Sequence, residues 1–301
     1  MFDRVMLPRD LVDCRGAVLA RAGRVVSPES IAEATSRPPP VAGRLLSDTY
    51  VAEDLHLPLT DAPYRHLFRG PGVQAAVARA LLAVRLPPVL FDEILVVKAN
   101  DALRYRHALT TAAVSARMLV AAVGEARALP EMTAAALLHD LGMRHLPAAL
   151  ARQPEGLGGE QGRQLAAHPL LGAFHLASVL GPHPAVEAAL THHWRQGQGY
   201  PHLASPPSRS LEVVAVASAF AALTQPRPFR SEPFDARGAV DHLIAEAAAG
   251  TADASTVRLL VHALRGGQGD ARALRFGRDR QGHAPTVNHH APIAVPAQSA
   301  I

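Results

Sequence analysis

The stretch LLHDLGMRHLP, residues 137–147, sets His139 beside Asp140 at the end of an apolar run. The chain has sixteen histidines and a single cysteine, Cys14, which excludes a cysteine-based metal cluster and an internal disulfide framework. Imidazole and carboxylate remain, and together they suit divalent zinc, manganese, iron or nickel. Neighbouring helical residues diverge by roughly 100° around the axis, so His139 and Asp140 do not easily serve one metal alike. A bridging Asp140 could serve two. Two ions about 3.5–4 Å apart polarise a phosphoester and stabilise charge on its leaving oxygen, which is the chemistry of phosphoester hydrolysis.

Four more histidines join the pattern: His107 in RYRHALTTAA, His168 in AAHPLLG, and His192 and His193 in THHWRQGQGYP. Each stands in a predicted helix or at its end, and separate helices can aim ligands at one centre. His56, His66, His145, His183, His242 and His262 have no acidic or histidine partner at suggestive spacing and read as ordinary imidazoles. His289 and His290 fall in a stretch with no apolar period to frame them.

The elements that must position these groups are mainly helical. Alanine, leucine and arginine dominate, aromatics are scarce and Lys98 is the only lysine, a composition that favours helices over a sheet-rich core. Residues 5–26 carry short β-branched runs broken at Arg15-Gly16 and Ala22-Gly23, and read as small paired strands. Ser27 and Pro28 then open a helix, SPESIAEAT, that stops before SRPPP. The expected organisation is a small α/β unit over 1–50, a linker over 51–72, an all-α domain over 73–265 and a disordered tail over 266–301. Within the all-α part, helices are expected at 73–85, 91–124, 130–144, 159–180, 184–194, 208–224, 235–249 and 253–265.

The formal charge is +4, but the arginines are scattered and often stand near acids, so no nucleic-acid partner is expected. The opening MFDRVMLPRDLVD lacks an apolar core of signal-peptide length, and no stretch approaches the ~18 apolar residues of a spanning helix. The expectation is a cytoplasmic chain with no membrane segment.

HALTT, LLHDLG, LPAAL, GGEQ at 158–161, AAHPLLG, THH, GYP and RPFR occur in one order, over about residues 100–232. This series resembles the HD-GYP domains, a branch of the HD phosphohydrolase superfamily. The resemblance implies an all-helical bundle, a two- or three-metal centre, and cyclic di-GMP as the ligand and substrate. It makes His107, His139 and Asp140 ligands of a first metal. Asp140 would bridge to a second metal held by His168, His192 and His193. Gly199, Tyr200 and Pro201 match the signature loop beside the site, and Arg227 and Arg230 match basic residues that meet ligand phosphates, which arginine can grip bidentately.

The chain departs from that pattern at several positions. The lysine of the family's HDxGK is Met143, followed by Arg144, which a one-residue step turns away. The aspartate expected after AVA, a ligand of the first metal, is Ser218. A glutamate that some members place one turn before His107 is Leu103, which argues against a third metal. The loop between the paired histidines and GYP lacks its acid and is one residue shorter than usual. These departures predict one divalent metal (iron, manganese, zinc or nickel) held tightly and a second weakly. Two readings follow: a metal-dependent cyclic di-GMP phosphodiesterase with an impaired first-metal site, or a catalytically weak receptor that contacts a signalling protein such as a diguanylate cyclase.

Overall fold

A computed structural model describes residues 3–36, 43–151, 153, 157–195, 199–203, 206–277 and 279–288. Four short strands open the chain: β1 (Val5–Met6), β2 (Leu11–Val12), β3 (Val18–Ala20) and β4 (Val25–Val26), with β1 antiparallel to β4 and β2 to β3. Helix α1 (Pro28–Thr35) follows, its first turn closed by a capping box between Ser27 and Ser30. Strand β5 (Arg44–Leu45) pairs with β6 (Arg85–Leu86), and α2 (His56–Thr60) and α3 (Pro71–Leu82) lie between them. The rest is helical: α4 (Pro88–Asn100), α5 (Ala102–Val123), α6 (Leu129–Leu138), α7 (Ala148–Ala151), α8 (Gly159–Leu165), α9 (His168–Leu180), α10 (Pro184–Thr191), α11 (Arg209–Thr224), α12 (Ala236–Ala248) and α13 (Ala254–Leu264). The molecule is mainly α with a small strand-containing N-terminal part, as composition and periodicity predict.

Two expected helices are each broken in two, and both breaks matter to the site. The run 91–124 divides at Asp101, an N-cap whose side chain accepts a hydrogen bond from the Arg104 amide at 3.0 Å. The run 159–180 divides at 166–167, so that His168 becomes the first residue of α9 and Pro169 falls in the first turn, where its missing N–H costs nothing. The expected helix at 130–144 ends at Leu138 and continues as a 3-10 turn over Leu141–His145.

The stretch 51–72 is not a bare linker. It forms 3-10 turns and α2, and buries Val51, Leu55, Tyr64, Leu67 and Phe68 in the core, with the Tyr64 hydroxyl 2.8 Å from Thr224 Oγ1. Its prolines end helices quickly, which hid a segment that earns its place by burial rather than periodicity. The tail also departs from expectation. The amides of Gln281 and Gly282 both donate to Asp241 Oδ2 at 3.0 Å, and Ser231 N donates to Val287 O. A buried carboxylate and a loop edge satisfy this backbone without apolar residues, so hydrophobic patterning carried no sign of it. The Pro-rich stretch 37–40 and residues 289–301, with His289 and His290, lie outside the described residues.

The N-terminal strands share one core with the helices, Leu7, Leu11, Val26 and Ile31 belonging to the same buried cluster as Leu109, Leu137 and Leu176, and α1 packs on α9. A buried polar knot reinforces this junction. Glu93 of α4 accepts the Cys14 amide at 2.7 Å and pairs with Arg144 Nε at 2.9 Å, while Arg144 Nη1 donates to Val12 O. His175 of α9 sets Nε2 3.6 Å from Glu93 and Nδ1 3.0 Å from His145 Nε2. His145 is therefore not the solitary imidazole that spacing suggested; thirty residues separate the partners in sequence.

Burial pushes the imidazoles of His175 and His145 down, to about 3 and about 2. Unfolding frees both to take protons near pH 6.5, so their contribution to stability is complete above that pH and is lost as pH falls through it toward 3. Unfolding free energy, from urea midpoints, will fall by about 1.4 kcal/mol per pH unit per group below pH 6. Glu93, pushed up by the same burial, offsets part of the loss. His175→Gln should flatten the slope.

Candidate metal centre

Four helices and the turns that leave them converge on one point. α5 packs against α6 and α11, α6 against α10, and α10 against α9. His107 is buried in the first half of α5, His139 is the C-cap of α6, His168 opens α9, and His192 is the C-cap of α10 with His193 following. The helix ends resolve the difficulty of adjacent ligands. Asp140 leaves helical geometry at φ −103° and ψ 14°, so it need not diverge from His139 as it would inside a helix.

The donor atoms form two groups, His107 with His139 and Asp140, and His168 with His192 and His193; in each, one ligand atom per residue lies within 4.8 Å of the others. Asp140 joins them, its Oδ1 standing 3.3 Å from His168 Nε2 and 4.0 Å from His192 Nε2. All six metal ligands expected from sequence are therefore gathered.

The hydrogen bonds around the imidazoles define which nitrogen is free. His139 Nδ1 donates to Ala136 O at 2.7 Å, His168 Nδ1 to Leu165 O at 2.7 Å, and His192 Nδ1 to Ala189 O at 2.9 Å. A carbonyl only accepts, so each Nδ1 carries the proton and each Nε2 of a neutral ring is a bare lone pair. Burial pushes all these imidazoles below their usual range, His192 and His193 well below it, which keeps them neutral. His168 Nε2 and His192 Nε2 then face each other at 3.1 Å with no proton to share. Two bare nitrogens so placed need a cation beside them, and divalent metals fit this donor set. Burial works against the Asp140 carboxylate, yet its carboxyl is held below the usual range with the Arg104 guanidinium among the charges that favour the anion, so it is anionic as a bridging ligand must be.

Ser218, on α11, points into the first group. Its Oγ lies 3.1 Å from His139 Nε2 and 3.3 Å from His107 Nε2, in the place where the resemblance calls for a carboxylate. The hydroxyl links the two imidazoles without bringing negative charge. His107 Nδ1 and Gln225 Oε1 are both buried without a hydrogen-bond partner, so this half of the site is the less satisfied one.

Gly142 and Gly199 act by having no side chain. A Cβ on Gly142 would stand 1.9 Å from His168 O and 2.5 Å from the Gly172 amide, so only glycine lets the turn after Asp140 lie directly on α9. Gly142→Ala is expected to destabilise the fold by at least ~2 kcal/mol in urea unfolding, since α9 cannot yield without moving His168. On Gly199 a Cβ would meet Arg195 N at 2.1 Å, which fixes the approach of the GYP loop. The Tyr200 ring stacks on His193 at 4.7 Å and meets His168 edge-on at 6.0 Å, while Pro201 is buried beside it. Residues 196–198 of the shortened loop are outside the described residues.

The two arginines of RPFR part company. Arg227 is half-buried and faces the site, its charge acting on His107 and Asp140. Arg230 turns to structure instead. Its Nη1 donates to Ala222 O and Leu223 O at 2.9 Å, its Nε meets Asn288 at 3.3 Å, and the guanidinium lies over Phe234. Free carbonyls at the end of α11 claim it, a need that spacing from Arg227 does not reveal. Arg144 is likewise held by Glu93 and Val12, so it does not replace the missing lysine at Met143.

Sequence reasoning passed over Arg104. It stands one turn before His107 on the same helix, largely buried, and its charge acts on His107, Asp140 and His168. The three-residue spacing from His107 was the available signal.

Comparison with known proteins defines the class. Residues 92–255 match the HD domain family, and the chain belongs to that family. Over 97 residues it is 33% identical to the 3'3'-cGAMP-specific phosphodiesterase 1 of Vibrio cholerae serotype O1 (strain ATCC 39315 / El Tor Inaba N16961), a match covering 31% of this chain. The match spans 22% of that relative's length. Among solved structures, the HD domain of the L. monocytogenes phosphodiesterase PgpH is similar with a TM-score of 0.43 and 15% identity, covering 58% of this chain and 95% of that one. No helix among the described residues is long and apolar enough to cross a membrane.

Proposed function

We propose that this chain is a metal-dependent phosphodiesterase that hydrolyses a cyclic dinucleotide, with cyclic di-GMP as the substrate. The observation that carries the reading is the pair of donor groups joined through Asp140, in which Nε2 atoms with no proton converge from four helices. His107, His139 and Asp140 would hold one divalent ion and Asp140, His168, His192 and His193 the other. Bound there, such ions supply a Lewis acid for the phosphodiester and an acidified water. Arg227 binds phosphate, and Tyr200 packs over His193 and limits the space in which a base can lie. The V. cholerae relative's name supports a cyclic dinucleotide as the substrate class.

Ser218 and Met143 favour a second reading, in which the chain binds cyclic di-GMP with little turnover and passes the signal to a partner such as a diguanylate cyclase. A single experiment separates the two. Untagged protein loaded with manganese, iron, nickel or zinc is given cyclic di-GMP, 3'3'-cGAMP and bis(p-nitrophenyl) phosphate, with metal content measured in parallel. Metal-dependent hydrolysis of cyclic di-GMP supports the enzyme, and tight binding without turnover supports the receptor. Hydrolysis of the simple diester alone would sink the dinucleotide assignment.

A further inference from the structure

The loss of a lysine at Met143 removes one cation that a phosphodiester would meet, but the site does not lack positive charge. Arg227 reaches it from the loop after α11, and Arg104 reaches it from the first turn of α5. No hydrogen bond or ion pair among the described residues engages the Arg227 guanidinium, although it is half-buried. Arg104 and Arg227 lie near enough to repel each other, and two carboxylates offset the charge of Arg227, Asp140 first and Asp101 after it. Asp101 Oδ2 lies 3.2 Å from Arg104 Nη2, its Oδ1 caps α5, and its charge also acts on Arg227. Two guanidinium groups beside a cluster of metal ligands make a place for an oxyanion. Arg227 has planar N–H pairs free to grip phosphate oxygens, and Arg104 has those that Asp101 does not hold.

We infer that Arg104 and Arg227 form a two-arginine clamp for a substrate phosphate, with Asp101 as the resident counter-ion that the phosphate displaces from Arg104. This deepens the phosphodiesterase reading and rests on it. Arg104 takes the role left open at Met143 from a different element. It does so without a motif, because an arginine three residues before a ligand histidine is marked only by the face of the helix they share. Asp101 also sets the selectivity. Its charge raises the threshold for weak anions, while a phosphodiester next to two bound metals competes for the arginines successfully.

The test is calorimetric titration of the metal-loaded full chain with inorganic phosphate and, separately, with cyclic di-GMP, alongside measured metal content. Arg104→Gln should weaken both ligands by roughly 10- to 100-fold, the size of a lost charge-assisted contact, with metal content unchanged. Arg104→Lys should restore part of the loss. Asp101→Asn keeps the helix cap and removes the competing charge, so it should tighten phosphate several-fold. That gain does not depend on how well the Arg104 variants fold. Unchanged phosphate affinity in folded Arg104→Gln, or no gain in Asp101→Asn, overturns the clamp, and so does loss of metal from Arg104→Gln, which would make Arg104 a support for the ligands. If phosphate binds in an Arg104-dependent way but cyclic di-GMP does not bind, the clamp stands and the dinucleotide reading fails.

Discussion

Asp140→Ala is expected to leave the protein folded and to strip both metal positions. Its carboxylate is the only anionic group in either donor set and the only one shared between them, with Oδ1 3.3 Å from His168 Nε2 and its other neighbours in the His107–His139 group. Supporting groups one step removed from a metal are worth roughly 10–100-fold in affinity, so a bridging ligand should exceed about 100-fold, and hydrolysis should fall at least as far. Metal analysis after dialysis reads the first effect, and turnover of a phosphodiester the second. The fold should tolerate the change, because Asp140 sits outside helical geometry and caps nothing with its side chain. Retention of two ions by Asp140→Ala would mean that the imidazoles alone define the site.

Ser218→Asp is expected to act in the opposite direction. Ser218 Oγ already lies between His139 Nε2 and His107 Nε2, so a carboxylate in its place points at the less satisfied half of the centre. The variant should take up a second ion at metal concentrations where the parent holds one, and hydrolysis of cyclic di-GMP should rise by about tenfold or more. Adding Met143→Lys should raise it further by supplying another phosphate contact. Thermal stability gives a reading independent of turnover. Without metal, the new buried charge lowers the melting temperature; with metal it is compensated, and saturation at 100 times the dissociation constant returns about 2.7 kcal/mol. The difference between the loaded and metal-free variant should therefore exceed that of the parent. If Ser218→Asp gains neither a second ion nor that extra stabilisation, the first-metal assignment of His107 and His139 is wrong. If the Ser218→Asp, Met143→Lys double variant holds two ions yet neither binds nor cuts cyclic di-GMP, the substrate is another phosphoester and the shortened loop before Gly199 is the reason.

By itself the sequence determined the ligand inventory and most of the helices that carry it. One cysteine among sixteen histidines left imidazole and carboxylate as the metal-binding groups, and the ordered series from HALTT to RPFR singled out six residues that the fold brings together. It also marked Ser218 and Met143 as positions where the chain departs from the pattern it resembles. These are properties of residue type and of spacing along the chain, and both can be read in one dimension. Tertiary structure decided everything that depends on which groups compete for a side chain. Arg227 and Arg230 look equivalent in RPFR, but open carbonyls at the end of α11 take Arg230 and leave Arg227 to the site. Arg144, which a one-residue step already turned from the face of Met143, is claimed by a buried Glu93 from α4. His145 looked solitary until α9 brought His175 to it, and Arg104 went unmarked until α5, capped by Asp101, placed it one turn before His107. For Arg144 and His145 the partner is distant in sequence, and in each case the winner is set by burial, because a low-dielectric interior makes an unmatched charge or bare backbone carbonyl costly.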